Sequence, residues 1–136
     1  MPSRTTSSEP LRVLLVDDNE AILTRAAAVL TPGCQVVGAV NNGPAALEAA
    51  GMLQPEVIVL DISMSGMTGF EVAASLRKSG SKAALVFLTV HDDEEFVEAA
   101  KAIGVIGYVV KPRLASDLMR AVQEVRAGRS FVSMNR

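Results

Sequence analysis

The sequence predicts an α/β domain built on a five-stranded parallel sheet in the order 2-1-3-4-5, with helices on both faces. Three observations predict it. Apolar runs and helical patterns alternate five times along the chain, as strand–helix units around a parallel sheet do. The runs, such as Val57-Ile58-Val59-Leu60, are continuous rather than alternating, so both sides of each strand are to be buried. Finally, Asp17, Asp18, Asp61, Thr89 and Lys111 stand just past, or at, the ends of these runs.

The chain has 136 residues, 49% of them hydrophobic and 21% charged, with a formal net charge of −2. That length suits one domain with a real core. A near-neutral balance without a basic block argues against direct nucleic-acid binding by this domain. The mild basic bias lies near the C-terminus, in Arg113, Arg120, Arg126, Arg129 and Arg136. Cys34, the single cysteine, has no internal disulfide partner and reads as a small buried hydrophobe of a reducing compartment. No apolar run reaches the length of a membrane span and no signal-peptide core is present, so the protein reads as cytoplasmic.

Taken in order, residues 1–10 are rich in Ser, Thr and Pro without periodicity and read as a disordered arm. Residues 11–16 form the first apolar run. Asp17-Asp18-Asn19 opens a helix over 20–30, with Ile22, Leu23, Ala26, Val29 and Leu30 on one face and Pro32-Gly33 beyond its end. Residues 35–40 give the second strand. Pro44 then suits the first position of an Ala-rich helix reaching residue 53. The third strand covers 55–61, and a Gly-containing loop leads to a helix over 70–78 that stops at Gly80. The fourth strand, 83–88, ends in Thr89. Asp92-Asp93-Glu94-Glu95 begins the fourth helix, where four acids face the positive end of the helix dipole, and Phe96, Ala99, Ala100 and Ile103 are its apolar side. The fifth strand is 105–110, broken by Lys111-Pro112. The last helix covers 115–127 on a stripe of Leu118, Ala121, Val122 and Val125.

In an open parallel sheet, ligands bind outside the carboxyl ends of the strands where the strand order reverses. The order 2-1-3-4-5 brings Asp17, Asp18, Asp61, Thr89 and Lys111 to one rim and leaves the uncharged end of the second strand at the outer edge. Three carboxylates together repel one another unless cations intervene. Lys111 supplies one positive charge, and oxygen-only ligands with retained waters suit Mg²⁺ for the remainder. Such a rim can accept a phosphoryl group on a carboxylate, with the metal and ammonium neutralising the equatorial oxygens.

Each residue alone has a plainer reading. Asp17-Asp18-Asn19 suits a helix cap, Asp61 a turn starter, Thr89 an ordinary strand end and Lys111 a solvated end. All five at successive strand ends favour a site. His91 has no Cys or His partner for a metal site or triad, and Met64 and Met67 read as loop packing.

With Met64, Gly66, Met67 and Gly69 after Asp61, and with Tyr108 ahead of Lys111-Pro112, the pattern resembles the receiver domain of two-component response regulators, a CheY-like, flavodoxin-like fold. The segments 88–92 and 107–111 resemble the NarL/FixJ-type group. The resemblance implies that Asp61 is the phosphoacceptor, taking its phosphoryl group from the phosphohistidine of a sensor histidine kinase. It implies Mg²⁺ ligation by Asp18, Asp61 and the Ser63 backbone carbonyl, with Asp17 acting mostly through water. Lys111 would pair with a phosphoryl oxygen, Thr89 would move to bond the phosphoryl group, and Tyr108 would turn inward and alter the face made by the fourth helix, fifth strand and fifth helix. A cis Lys111-Pro112 bond is implied as well. Departures are Ser65, where the family often has Pro, and the bulky Val90. Ser63 and His91 stand at positions that tune the lifetime of the phosphoryl group.

The expected division is an arm over 1–10, a receiver domain over 11–128, and a tail or linker start over 129–136. The protein is expected to be a phosphoacceptor rather than a turnover enzyme, controlling a DNA-binding output domain and dimerising on phosphorylation. The alternative is a stand-alone or phosphorylation-independent pseudo-receiver, against which the intact acidic pair, Thr89 and Lys111 speak. A haloacid-dehalogenase-type phosphatase needs a second Asp where Ser63 stands, and no phosphate-binding Gly-rich loop is present.

Overall fold

The computed structural model describes residues 10–133; all but the last residue of the predicted arm lie outside that range. Strands and helices alternate: β1 (Leu11–Val16), α1 (Glu20–Leu30), β2 (Cys34–Val40), α2 (Gly43–Leu53), β3 (Val57–Leu60), α3 (Gly69–Lys78), β4 (Ala84–Thr89), α4 (Glu94–Ala102), β5 (Gly107–Val110), a 3₁₀ turn (Lys111–Arg113), α5 (Leu114–Arg126) and β6 (Phe131–Ser133). The sheet is parallel throughout, in the order β2-β1-β3-β4-β5-β6.

The prediction of five strands is corrected to six. Phe131-Val132-Ser133 pairs with Gly107-Tyr108-Val109 of β5. A three-residue run carries too little pattern to read as a strand, but an unpaired β5 edge is a template for one. Phe131 and Ser133 turn toward the body of the domain and Val132 outward, as a period of two requires.

The continuous apolar runs are explained by two cores. Alternate residues of the strands, such as Leu14, Ile58, Leu60, Leu85 and Phe87, pack against α2, α3 and α4. The intervening ones, such as Val13, Leu15, Val57, Val59 and Val86, pack against α1 and α5. Burying one such Leu or Phe contributes about 1.5–3 kcal/mol. Gly107 marks a close approach of β5 to β4 and α5: a Cβ there would lie 2.6 Å from Val86 Cγ2 and 2.8 Å from Val125 Cγ1.

The helix ends follow local chemistry. Asn19 caps α1, its side chain accepting from the N–H groups of Ala21 and Ile22. Asn42 caps α2 from Ala45 N–H, with Pro44 in the first turn. Thr68 and Glu71 form a reciprocal capping box at α3. On α4 the buried residues are Val97 and Ala100, whereas Ala99 is exposed. The predicted apolar side is therefore rotated by part of a turn.

Candidate functional site

The carboxyl rim is assembled by the backbone before any side chain takes part. Val16 of β1 lies beside Leu60 of β3, and Thr89 of β4 beside Val110 of β5. The ladder continues one residue further: Asp61 N–H donates to the Val16 carbonyl and Asp17 N–H to the Val40 carbonyl. Asp17, Asp61, Thr89 and Lys111 thereby leave four neighbouring strands at one level. Gly69 lets α3 start directly against this rim, since a Cβ there would sit 2.2 Å from the Asp61 carbonyl oxygen.

Lys111 Nζ is 3.0 Å from Asp17 Oδ2 and 3.2 Å from Asp61 Oδ2. Asp17, Asp18 and Asp61 each present a carboxylate oxygen within 4.8 Å of the others. Asp17 and Asp61 are buried while Asp18 is exposed. Asp17 Oδ1 also accepts from Asn19 N–H at 2.8 Å, and Asp18 Oδ2 from Ser65 N–H at 3.4 Å. Capping of α1 falls to Asn19, which leaves the two aspartates to the rim.

The charge balance is uneven. Burial pushes the Asp61 carboxyl up; Lys111 opposes this and the Asp17 charge adds to it. Burial pulls Lys111 down, but hydrogen bonds and charges from Asp17 and Asp61 outweigh it, so the ammonium is held above its ordinary value. Three carboxylates face one ammonium. This deficit, with a donor set of oxygens alone, fits a hard divalent cation, and the residues that could hold it are Asp17, Asp18 and Asp61.

Thr89 is fully buried, and its Oγ1 accepts from His91 N–H at 3.3 Å. Tyr108 is 1% exposed and already inward, its hydroxyl donating to the His91 carbonyl at 2.7 Å. Burial, then the charges of Asp93 and Asp92, push its phenol up to about 12. Ser63 Oγ and His91 Nε2 are 2.6 Å apart, and the His91 ring stacks on Phe96 with centroids 4.3 Å apart. His91 thus links the loop after Asp61 to the segment after Thr89. Its lack of metal-ligating neighbours in the sequence hid this bridging place. Met64 is buried in the core and Met67 packs partly buried against it.

One expectation is overturned. There are no cis peptide bonds among the described residues, so Lys111-Pro112 is trans. Pro112 lies in the first turn of the 3₁₀ helix, where a trans proline with its fixed φ is accommodated. Sequence reasoning also missed Asp117, which accepts from Arg113 Nε at 2.6 Å and from the hydroxyl of Ser133. The i,i+4 spacing of Arg113 and Asp117 was a visible signal; the partner in β6 was not. A cleft of about 950 Å³, lined by residues including Leu47, Glu56, Ser79, Lys82 and Arg126, contains none of the rim residues.

A parallel sheet in this order with an aspartate-lined carboxyl rim defines a class, and comparison with known proteins agrees. A sequence model of the response regulator receiver domain matches residues 13–123, and the chain belongs to that family. It is 33% identical over 129 residues to the nitrate/nitrite response regulator NarL of Escherichia coli K12, covering 93% of this chain and 60% of that protein. With NarP of the same strain it shares 35% over 130 residues, covering 94% and 57%. The chain therefore spans less than two thirds of the length of these relatives. The signal receiver domain of the response regulator NarL from Mycobacterium tuberculosis superposes with a TM-score of 0.81 at 31% identity, covering 89% of this chain and 99% of that one. A LuxR-family two-component response regulator from Aurantimonas sp. SI85-9A1 gives 0.85 at 26%, covering 93% and 90%. These relatives and neighbours are response regulators of the NarL and LuxR kind or receiver domains of them. Receiver domains are phosphoacceptors rather than turnover enzymes, and those of response regulators interact with sensor kinases. No helix among the described residues is long and apolar enough to cross a membrane.

Proposed function

We propose that this domain is a phosphorylation-controlled switch in which Asp61 accepts a phosphoryl group from the phosphohistidine of a sensor histidine kinase. The observation that carries the reading is Asp61 itself: a buried carboxylate 3.2 Å from the Lys111 ammonium, with an oxygen within 4.8 Å of one on each of two further aspartates. An Asp61 oxygen attacks phosphorus, the P–N bond breaks, and the imidazole leaves with the bonding pair. Asp17, Asp18 and Asp61, with the Ser63 carbonyl, would hold Mg²⁺, which when bound supplies positive charge to the phosphoryl oxygens. Lys111, beside Asp17 and Asp61, would supply a second positive charge. Thr89 moves its hydroxyl from the His91 amide to the phosphoryl group, and Tyr108 carries the change to the face formed by α4, β5 and α5.

The receiver unit is residues 11–128 of a cytoplasmic protein, extended at the sheet edge by β6 (Phe131–Ser133). By analogy with its longer relatives, its output is control of a DNA-binding domain, with phosphorylation-dependent dimerisation. The test is intact mass after incubation with acetyl phosphate and Mg²⁺. We expect one added phosphoryl group on the wild type and none on Asp61→Asn or without Mg²⁺. Equal loading of Asp61→Asn would overturn the assignment.

A further inference from the structure

We propose that β6 is a releasable strap: phosphorylation of Asp61 weakens its hold on β5 by way of the Lys111–Arg113 turn and Asp117. The proposal rests on the phosphoacceptor reading above and extends it to a segment outside the rim.

Three contacts hold the strand. Its backbone pairs with Gly107, Tyr108 and Val109, extended by Phe131 N–H donating to the Ile106 carbonyl at 2.9 Å. The Arg120 guanidinium lies over the Phe131 ring, 5.4 Å from its centroid. The Ser133 hydroxyl donates to Asp117 Oδ2. A three-residue edge strand with one half-buried aromatic belongs to the low-stability end of a fold, where local opening is easiest.

Two of these contacts lead back to the site. Asp117 Oδ2, the acceptor for Ser133, also accepts from Arg113 Nε. Arg113 ends the single turn that Lys111 begins. The Lys111 ammonium sits between Asp17 and Asp61, so new phosphoryl oxygens on Asp61 draw it away from that position. Lys111 and Arg113 belong to one three-residue turn, so a reorientation of Lys111 that turns this segment carries Arg113 with it and alters its contact with Asp117. The second route is Tyr108, which pairs with Val132 along the backbone and bonds the His91 carbonyl with its hydroxyl, beside Thr89. Both routes end on β6, and its release uncovers the N–H and C=O row of β5.

The test is hydrogen exchange of the full chain, read by mass spectrometry after loading with acetyl phosphate and Mg²⁺, with intact mass taken from the same sample. We expect amides of 131–133 to exchange at least about fivefold faster in the loaded protein, the low end of ordinary allosteric coupling. Asp117→Ala, which removes the acceptor for Ser133, should show the faster exchange unloaded and gain little on loading; Ser133→Ala makes the same test should that variant not fold. One added phosphoryl with unchanged exchange overturns the strap and leaves the phosphoacceptor reading intact. No added mass on the wild type overturns both. Full acceleration on loading in either folded variant overturns the route through Asp117.

Discussion

The turn after β5 carries a cation at each end, and each faces carboxylate at hydrogen-bond distance. Lys111 meets Asp17 and Asp61 at 3.0 and 3.2 Å; Arg113 meets Asp117 at 2.6 Å. The acids nevertheless move in opposite directions. Asp61 is pushed up, first by burial. Asp117 is held below the usual carboxylate range, first by the hydrogen bond from Arg113 and then by that from Ser133. A nearby cation therefore does not decide the outcome; burial and the number of acids sharing the cation do. The buried group is short of positive charge and costs stability while remaining receptive to a cation. The half-buried Asp117 is balanced by its own cation and holds two segments together.

The largest expected effect comes from removing the cation of the buried group. Lys111→Met leaves Asp17 and Asp61 buried without the cation they share, and breaking a buried pair in this way costs about 3 kcal/mol or more. Urea unfolding in metal-free buffer at pH 7 should read that loss, and millimolar Mg²⁺ should recover part of it. A loss below about 1 kcal/mol would mean that water already screens the rim, and the contrast between the two groups would fail.

Next in size, and opposite in sign, is Asp61→Asn. It leaves one ammonium to Asp17 and removes a buried charge, so the variant should gain roughly 1 kcal/mol at pH 7. The pH dependence follows from linkage. The folded Asp61 holds its proton to higher pH than the unfolded chain, whose carboxyl titrates near the ordinary 3.8. The wild type therefore loses stability as pH rises from about that value through the folded pKa, and stays lower above it. The advantage of Asp61→Asn should open across that window in metal-free buffer and vanish below it. A variant less stable than wild type at pH 7 would show that the Lys111 contact outweighs burial.

The same contrast explains what the sequence made legible. Parallel strands buried on both faces leave continuous apolar runs, and one polar residue at the end of each run is conspicuous. The fold, the strand order through β5 and the grouping of Asp17, Asp18, Asp61, Thr89 and Lys111 at one rim could all be read from that pattern. What escaped was set by tertiary contact. Three residues of β6 carry no period of their own, and their place depends on a free β5 edge. Val97 rather than Ala99 lies on the buried side of α4, because packing against the sheet, and not the acid-rich start, sets the rotation of the helix. The bridge from Ser63 to His91 joins residues 28 positions apart, and no local rule pairs a serine with a histidine. The trans Lys111-Pro112 bond depends on the 3₁₀ turn that follows it.

The smallest expected effect is on the balanced pair of Arg113 and Asp117. Asp117→Asn keeps the size of the side chain and its capacity to accept from Ser133, and loses only charge. Its partner Arg113 is exposed, so solvent screens the pairing and the cost is under ~1 kcal/mol. Its sign and pH course are the reverse of those for Asp61. The folded pKa lies below the ordinary 3.8, so the stabilisation is fully present above that value and is lost as pH falls through the folded pKa. Wild type should therefore exceed Asp117→Asn by a constant small margin at neutral pH, and the two unfolding curves should converge only in acid. Raising salt to about 1 M shortens the screening length to about 3 Å and should narrow the margin, while leaving the gain from Asp61→Asn largely in place because burial rather than Coulomb attraction dominates there. A margin that ignored salt would make Asp117 a hydrogen-bond anchor for β6 whose charge is incidental.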